Sequence, residues 1–256
     1  MHDAAFAALG LDGRYEAWDV APADLGHALA RIRASDVLLG ANVTVPHKLA
    51  VLPYLDERTP EADRLGAVNT IVRRGRRLIG HNTDALGLAA ALAELPRPPA
   101  PGSAVVLGAG GAARAAVAVF LDAGASVALH NRTPARAQAL AADFERHGAI
   151  TVIDDAALRA AVEGADWLVN TTSVGMQSGP PGLPLPAGLL PATGAVIDLI
   201  YRPRPTELLR TAAAAGLVNH DGVAMLLYQG AAAFEAWTGH PAPVAAMREA
   251  LEAALA

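Results

Sequence analysis

The sequence predicts an α/β protein of two domains, an N-terminal domain on a mixed sheet and a second domain on a parallel sheet covered by helices. Three observations predict it. Short β-branched or alternating runs recur between alanine-rich amphipathic segments, which is the punctuation of β-α-β units. One pair of runs is joined by a tight polar turn and reads as an antiparallel hairpin. P-R-P-P-A-P-G, Pro96 to Gly102, carries four prolines in seven residues and can continue neither helix nor strand, so it marks a domain boundary.

Along the chain, a helix is under way from M-H-D-A-A-F-A-A-L. R-Y-E-A-W-D-V, Arg14 to Val20, reads as a strand, Pro22 to Ala34 as a helix, and V-L-L-G-A-N-V-T-V, Val37 to Val45, as a strand, with another helix after Pro46. Ala67 to Asn82, A-V-N-T-I-V-R-R-G-R-R-L-I-G-H-N, forms the hairpin and turns near Gly75, which makes the first sheet mixed. A helix from Thr83 to Leu95 leads into the prolines. Beyond them, strands near 103–108, 126–131, 150–153, 166–170 and 194–200 alternate with helices, and Val223 to Trp237 and Pro243 to Ala256 are helical.

Composition bounds the function. The 256 residues are 53% hydrophobic and 18% charged, as expected of a chain with sizeable buried cores. A net charge of −5 without a long basic run leaves no footprint for nucleic acid, and Arg73 to Arg77 reads as a solvated turn. No apolar run is long enough to span a membrane, and the start does not read as a secretory signal. Zero cysteines exclude disulfides, a thiolate nucleophile and a Cys-ligated zinc, and accord with a cytoplasmic location. No metal is expected.

V-V-L-G-A-G-G-A-A-R places Gly108, Gly110 and Ala113 in the G-x-G-x-x-G/A arrangement after an apolar strand and before a helix. Gly108 permits the tight turn, Gly110 lets backbone approach a pyrophosphate, and Ala113 allows close helix–sheet packing. Ala109, Gly111 and Ala112 complete the loop, whose helix N-terminus offers N–H groups to phosphates. The second domain is therefore expected to be a Rossmann domain. Asn131 stands 23 positions after Gly108, where an acid would hold the adenosine 2′-hydroxyl of NAD. Here N-R-T-P-A-R offers Asn131, Arg132, Thr133 and Arg136 instead. A carboxylate would repel a 2′-phosphate, whereas arginines pair with one, so the expected cofactor is NADP. Arg136 alone could equally be a surface charge.

The chain has 19 arginines and a single lysine, Lys48, in G-A-N-V-T-V-P-H-K. Surface charge and phosphate binding tolerate arginine, but acid–base catalysis does not, because a guanidinium keeps its proton. Lys48 is thus a catalytic candidate, the alternative being an accidental surface lysine. H-N-T-D supplies Asp84 to hold such an amine, or simply to cap the following helix. Asn42, Thr44, Asn69, Thr70 and Asn82 gather at comparable strand ends, where open α/β sheets bind ligands.

Taken together, N-V-T-V-P-H-K, G-A-V-N-T, H-N-T-D, G-A-G-G-A-A-R, N-R-T-P-A-R, N-T-T-S-V-G-M, D-L-I-Y-R-P-R-P-T and D-G-V-A-M-L-L-Y-Q-G-A resemble, in order and across essentially the whole chain, the shikimate dehydrogenase family. The resemblance implies NADP-dependent reduction of 3-dehydroshikimate to shikimate, in aromatic amino-acid biosynthesis, by a monomer or homodimer. It implies that Lys48 is the acid/base at the C3 oxygen and that Asp84 orients it. Asn42, Thr44, Asn69, Tyr201 and Gln229 would hold the substrate, and Gly222 and Met225 would line the nicotinamide pocket. The substrate domain would comprise residues 1–98 with helices 223–256 returning to it, and the cofactor domain 99–222. The family usually has a first strand and an S-x-S-P loop ahead of its M-H-N run, whereas this sequence opens at M-H-D, and Ala85 stands where glycine is more usual. Two alternatives accompany this reading: a quinate/shikimate dehydrogenase relative, and a catalytically silent dinucleotide-binding protein.

Overall fold

The computed structural model describes residues 1–95 and 100–255, and the chain divides into two compact units, Met1–Gly87 with Leu227–Ala256, and Leu88–Leu226. The expected boundary at 98/99 lies outside the described residues. The second observed division falls at 226/227, within a helix, where the sequence suggested 222/223.

In chain order, the first unit begins with α1 (His2–Ala8), α2 (Leu25–Ala34), β1 (Gly40–Asn42), α3 (His47–Ala50), β2 (Glu57–Arg58), α4 (Pro60–Leu65), β3 (Thr70–Arg74) and β4 (Arg77–His81). Its sheet runs β1-β3-β4-β2, with β3 antiparallel to both β1 and β4 and with β2 parallel to β4, so it is mixed. Gly75, at φ +60°, makes the left-handed turn that joins β3 to β4. Thr59 accepts the Ala62 N–H and starts α4 with Pro60 in its first turn, and Gly66 closes it at φ +56°.

The expected strand over Arg14 to Val20 does not form, and Leu11–Ala21 has no regular structure. Side chains from outside the stretch take backbone groups that a ladder would use: Asp3 accepts the Tyr15 N–H, and a His47 ring nitrogen bonds the Val20 carbonyl. The next expected strand, Val37 to Val45, shortens to β1, since Arg73 binds the Leu38 carbonyl through its side chain and Val37 and Val45 are exposed. The two-residue β2 and a three-residue strand at Val218–His220 were not anticipated, because such short edge strands carry no periodic signal.

After α5 (Asp84–Ala93), the second unit continues with β5 (Ser103–Leu107), α6 (Gly111–Asp122), β6 (Ser126–His130), α7 (Pro134–Phe144), β7 (Ile150–Val152), α8 (Asp155–Glu163), β8 (Trp167–Asn170), β9 (Ala195–Asp198), α9 (Glu207–Ala214) and β10 (Val218–His220). All pairings in the sheet β10-β9-β8-β5-β6-β7 are parallel. Counted from β5, this is the 3-2-1-4-5-6 dinucleotide-binding order, in which connections reverse direction between β5 and β8. Every residue of β8 and β9 is buried, as a parallel sheet covered on both faces requires. Ala113, Ala115, Ala116 and Ala118 of α6 are buried, and their small side chains let that helix lie close to the sheet.

α10 (Val223–Thr238) and α11 (Val244–Leu255) complete the chain. Their later part belongs to the first unit, where Phe234 packs on Phe6 and the Trp237 indole donates to the Ile71 carbonyl of β3 at 2.8 Å. Among the described residues no helix is long and apolar enough to cross a membrane.

Candidate active site

Lys48 lies in α3, directly after the turn that ends N-V-T-V-P, and its backbone carbonyl accepts the Val68 N–H. Its side chain runs inward. Nζ donates to Asp84 Oδ2 at 2.6 Å, with the lysine side chain 14% and the carboxylate 4% exposed. An accidental surface lysine would stand in water, whereas this one is largely enclosed against a buried acid. Asp84 begins α5, where its backbone N–H donates to Asn82 Oδ1. Asn82 therefore supplies the cap, and the Asp84 side chain is left for Lys48.

Asn69 closes the other side of the carboxylate. Its Nδ2 donates to Asp84 Oδ1 at 2.9 Å and to Gln229 Oε1 at 3.3 Å, while its Oδ1 accepts the Thr83 N–H at 2.8 Å. Gln229 comes from α10, and Gly87 makes room for it, since a Cβ at Gly87 would stand 2.6 Å from the Gln229 nitrogen. Asn42, at the end of β1, donates to Thr70 Oγ1 at 3.1 Å, and Thr70 donates to Asn69 Oδ1 at 3.0 Å. Lys48, Asp84, Asn69, Asn42 and Gln229 thus form one network in the first unit. Thr44 is exposed, and its side chain makes no hydrogen bond among the described residues. Tyr201 belongs to the second unit and is 41% exposed.

The arrangement suits proton transfer at an oxygen. Burial strengthens the Lys48–Asp84 attraction, the ammonium keeps protons beyond the one given to Asp84, and both carboxylate oxygens are occupied by donors that fix its plane.

In the second unit, Gly108 follows β5 at φ +108°, and a Cβ there would meet Thr171 Oγ1 at 2.6 Å. Glycine is demanded by the chain itself at this point, where β5 and β8 end side by side. Gly110 differs: apart from its own chain neighbours, nothing among the described residues lies within 4 Å of where its Cβ would stand. It precedes α6 without a side-chain cap, so the N–H groups of Gly111 and Ala112 open onto that space together with the helix dipole. An open glycine cradle over an uncapped helix of 12 residues fits a pyrophosphate. Ala109, Gly111 and Ala112 are half-buried around it.

After β6, Asn131 donates to the Thr133 carbonyl at 2.8 Å and shapes the turn into α7. Arg132, Thr133 and Arg136 are exposed, and neither arginine side chain makes an ion pair or hydrogen bond with the chain among the described residues. They are free to receive a phosphate. Gly222 is buried against the residue that follows β9, where a Cβ would stand 2.1 Å from the Leu199 carbonyl oxygen. Met225, 8% exposed, lines a small cavity of about 20 Å³ with Leu88, Ile197 and His220.

Two polar features escaped the sequence reading. One is Tyr15, whose hydroxyl donates to Asn42 Oδ1 at 3.0 Å. The other is Asp198 at the end of β9, only 1% exposed. It accepts from Asn170 Nδ2 at 2.9 Å, Thr206 Oγ1 at 2.7 Å and the Ile200 N–H at 3.2 Å. Burial pushes this carboxyl up to about 6, against the lowering effect of those donors, and the charge of Asp221 adds to the rise. Asn170 in turn accepts from Thr172 N and Oγ1, so one buried acid organises the chain leaving two adjacent strands. The motifs N-T-T-S-V-G-M and D-L-I-Y-R-P-R-P-T contained the signal.

Family models match at residues 1–71 (shikimate dehydrogenase substrate binding domain), 99–176 (shikimate / quinate 5-dehydrogenase) and 222–252 (shikimate 5′-dehydrogenase C-terminal domain). The chain is 48% identical to a shikimate dehydrogenase (NADP(+)) of Symbiobacterium thermophilum, over all of this chain and 89% of that protein. It is similar in structure to a Thermus thermophilus shikimate 5-dehydrogenase solved with NADP(H) and shikimate, with a TM-score of 0.88, 44% identity, and coverage of 99% and 93% of the two chains. Corynebacterium glutamicum quinate dehydrogenase, solved with NAD, is less similar, at TM-score 0.83 and 32% identity over 98% of this chain and 92% of that one.

Proposed function

The chain belongs to the shikimate dehydrogenase family, and from that premise we propose that it interconverts 3-dehydroshikimate and shikimate with NADP, using Lys48 as the acid/base. The observation that carries this reading is the enclosed 2.6 Å pair of Lys48 and Asp84. The first unit handles the substrate and the second the cofactor. The enzyme works in the cytoplasm as a monomer or homodimer.

In the direction of reduction, NADPH supplies a hydride to the carbonyl carbon. Lys48 donates a hydrogen bond to the carbonyl oxygen, then passes one Nζ proton to it as negative charge develops there, and solvent restores the proton afterwards. In oxidation the neutral amine takes the C3 hydroxyl proton. Asp84 stabilises the ammonium and limits the motion of Nζ, while Asn69 holds the carboxylate through its second oxygen. Asn42, Thr44, Asn69 and Gln229 of the first unit supply hydrogen-bond partners for substrate hydroxyls and carboxylate. Gly108, Gly110, Gly111 and Ala112 present backbone to the pyrophosphate, and Gly222 and Met225 border the nicotinamide.

The complete Lys48–Asp84–Asn69 network supports an active enzyme over a silent dinucleotide-binding protein. Arginines at 132 and 136 without partners among the described residues support NADP over the NAD of a quinate dehydrogenase. Lys48→Arg keeps the charge but cannot release a proton at neutral pH, so kcat should fall by about 10²-fold or more while NADPH affinity changes little. Steady-state oxidation of shikimate with NADP⁺, beside a fluorescence titration of NADPH, reads both quantities. Turnover equal to that of the unmodified enzyme would remove Lys48 from the mechanism.

A further inference from the structure

Tyr15 lies in a stretch without regular structure, yet it is held from several directions. Its backbone N–H donates to Asp3 Oδ1 at 2.7 Å, and its ring stacks on His2 with centroids 4.4 Å apart. Trp237 lies 6.1 Å away, fixed by its bond to Ile71 and admitted by Gly40, where a Cβ would stand 2.6 Å from the indole nitrogen. A ring held this way aims its hydroxyl in one direction, at Asn42 Oδ1.

From that hydroxyl the donors run one way. Tyr15 donates to Asn42, Asn42 Nδ2 to Thr70 Oγ1, Thr70 to Asn69 Oδ1, and Asn69 Nδ2 to Asp84 Oδ1, whose other oxygen accepts from Lys48. The same side of the Asn42 amide faces the Asn69 backbone carbonyl at 3.4 Å, which can only accept, and Thr70 Oγ1 has acceptors in Asn69 Oδ1 and Thr83 Oγ1 for its single proton. The amide nitrogen of Asn42 must therefore face β3 and its oxygen must face Tyr15. We infer that Tyr15 is a positioning residue for the reaction: its phenol proton locks the Asn42 amide in the orientation that meets the substrate. Burial raises the phenol pKa, which keeps that proton in place through neutral pH. Bonds aligned head to tail also polarise one another, so the lock extends to Asn69.

This inference rests on the dehydrogenase reading, and the two fail separately. Tyr15→Phe keeps the ring, its stack on His2 and the backbone bond to Asp3, and removes only the donor. With the full chain and NADP⁺, the KM for shikimate should rise about fivefold, the loss of one neutral hydrogen bond, while kcat stays within about twofold and NADP⁺ affinity is unchanged. In an Asn42→Ala background the same substitution should add nothing further. An unchanged KM, or a loss of equal size in both backgrounds, would overturn the role. A wild-type chain that does not oxidise shikimate would defeat the dehydrogenase reading instead. The orientation would then be read without substrate, from the Asn42 side-chain amide resonances of the ¹⁵N-labelled protein, which must shift in Tyr15→Phe; unmoved resonances would overturn the inference.

Discussion

At the scale of single residues, chemistry that only one side-chain type can perform was the most readable in advance. Lys48 stood out because every other basic position is arginine, and its enclosure against Asp84 explains why arginine would not serve there. The arginines proposed for the cofactor, Arg132 and Arg136, rest on a similar observation, a cation standing where an acid would bind the ribose. Arg132→Ala should weaken NADP⁺ by about tenfold, the loss of one charge-assisted bond, and leave NAD⁺ affinity nearly unchanged. Calorimetric titration of the two cofactors measures this, and equal losses would cancel the 2′-phosphate assignment. Tyr15 was not readable: its stretch alternates like a strand, and its role depends on His2, Asp3 and Trp237, which nothing local in the sequence associates with it.

Among elements, the parallel strands of the second unit other than the short edge strand β10 were legible to within a residue or two, because buried β-branched runs bounded by glycine leave few alternatives. The first unit was harder. Its strands are short, and side-chain bonds from Asp3, His47 and Arg73 end or replace them, a competition that periodicity does not register. Asp198 belongs to this scale because it joins the ends of β8 and β9 to the start of α9. Folded, it titrates near 6; its ordinary value is 3.8. Below the lower value both states are protonated. Between the two values the native chain retains a proton that the unfolded chain has released, so stability falls as pH rises, and the loss is complete above about 6. The rise from 3.8 to about 6 corresponds to up to about 3 kcal/mol. Asp198→Asn lacks this titration, so its stability relative to the parent should increase by up to that amount between pH 4 and 6. Urea unfolding of both proteins across that range tests it, and parallel profiles would show that the carboxyl does not titrate as described.

For the molecule as a whole, an α/β chain with a mixed sheet followed by a parallel one was evident from the order of its elements, whereas the return of the last helices to the first domain was implied by the family resemblance and not by that order. α10 begins in the second unit and continues in the first, where Phe234 and Trp237 fill the core beside Phe6 and β3. The first unit is therefore made of two separate stretches, and the second of one. A chain ending at Leu226 should lose shikimate turnover and the hydrogen-exchange protection of β3 and β4, yet retain NADP⁺ binding by residues 88–226. Protection of β3 equal to that of the full chain would show that the closing helices are dispensable. The same arrangement orders events during synthesis. A ribosome releases all of residues 88–226 before it releases 227–256, so the dinucleotide fold can mature on the nascent chain while Lys48 and Asp84 still wait for Gln229 and Trp237. Until translation passes those helices, the polypeptide can hold its coenzyme but lacks a finished setting for the proton transfer proposed at Lys48.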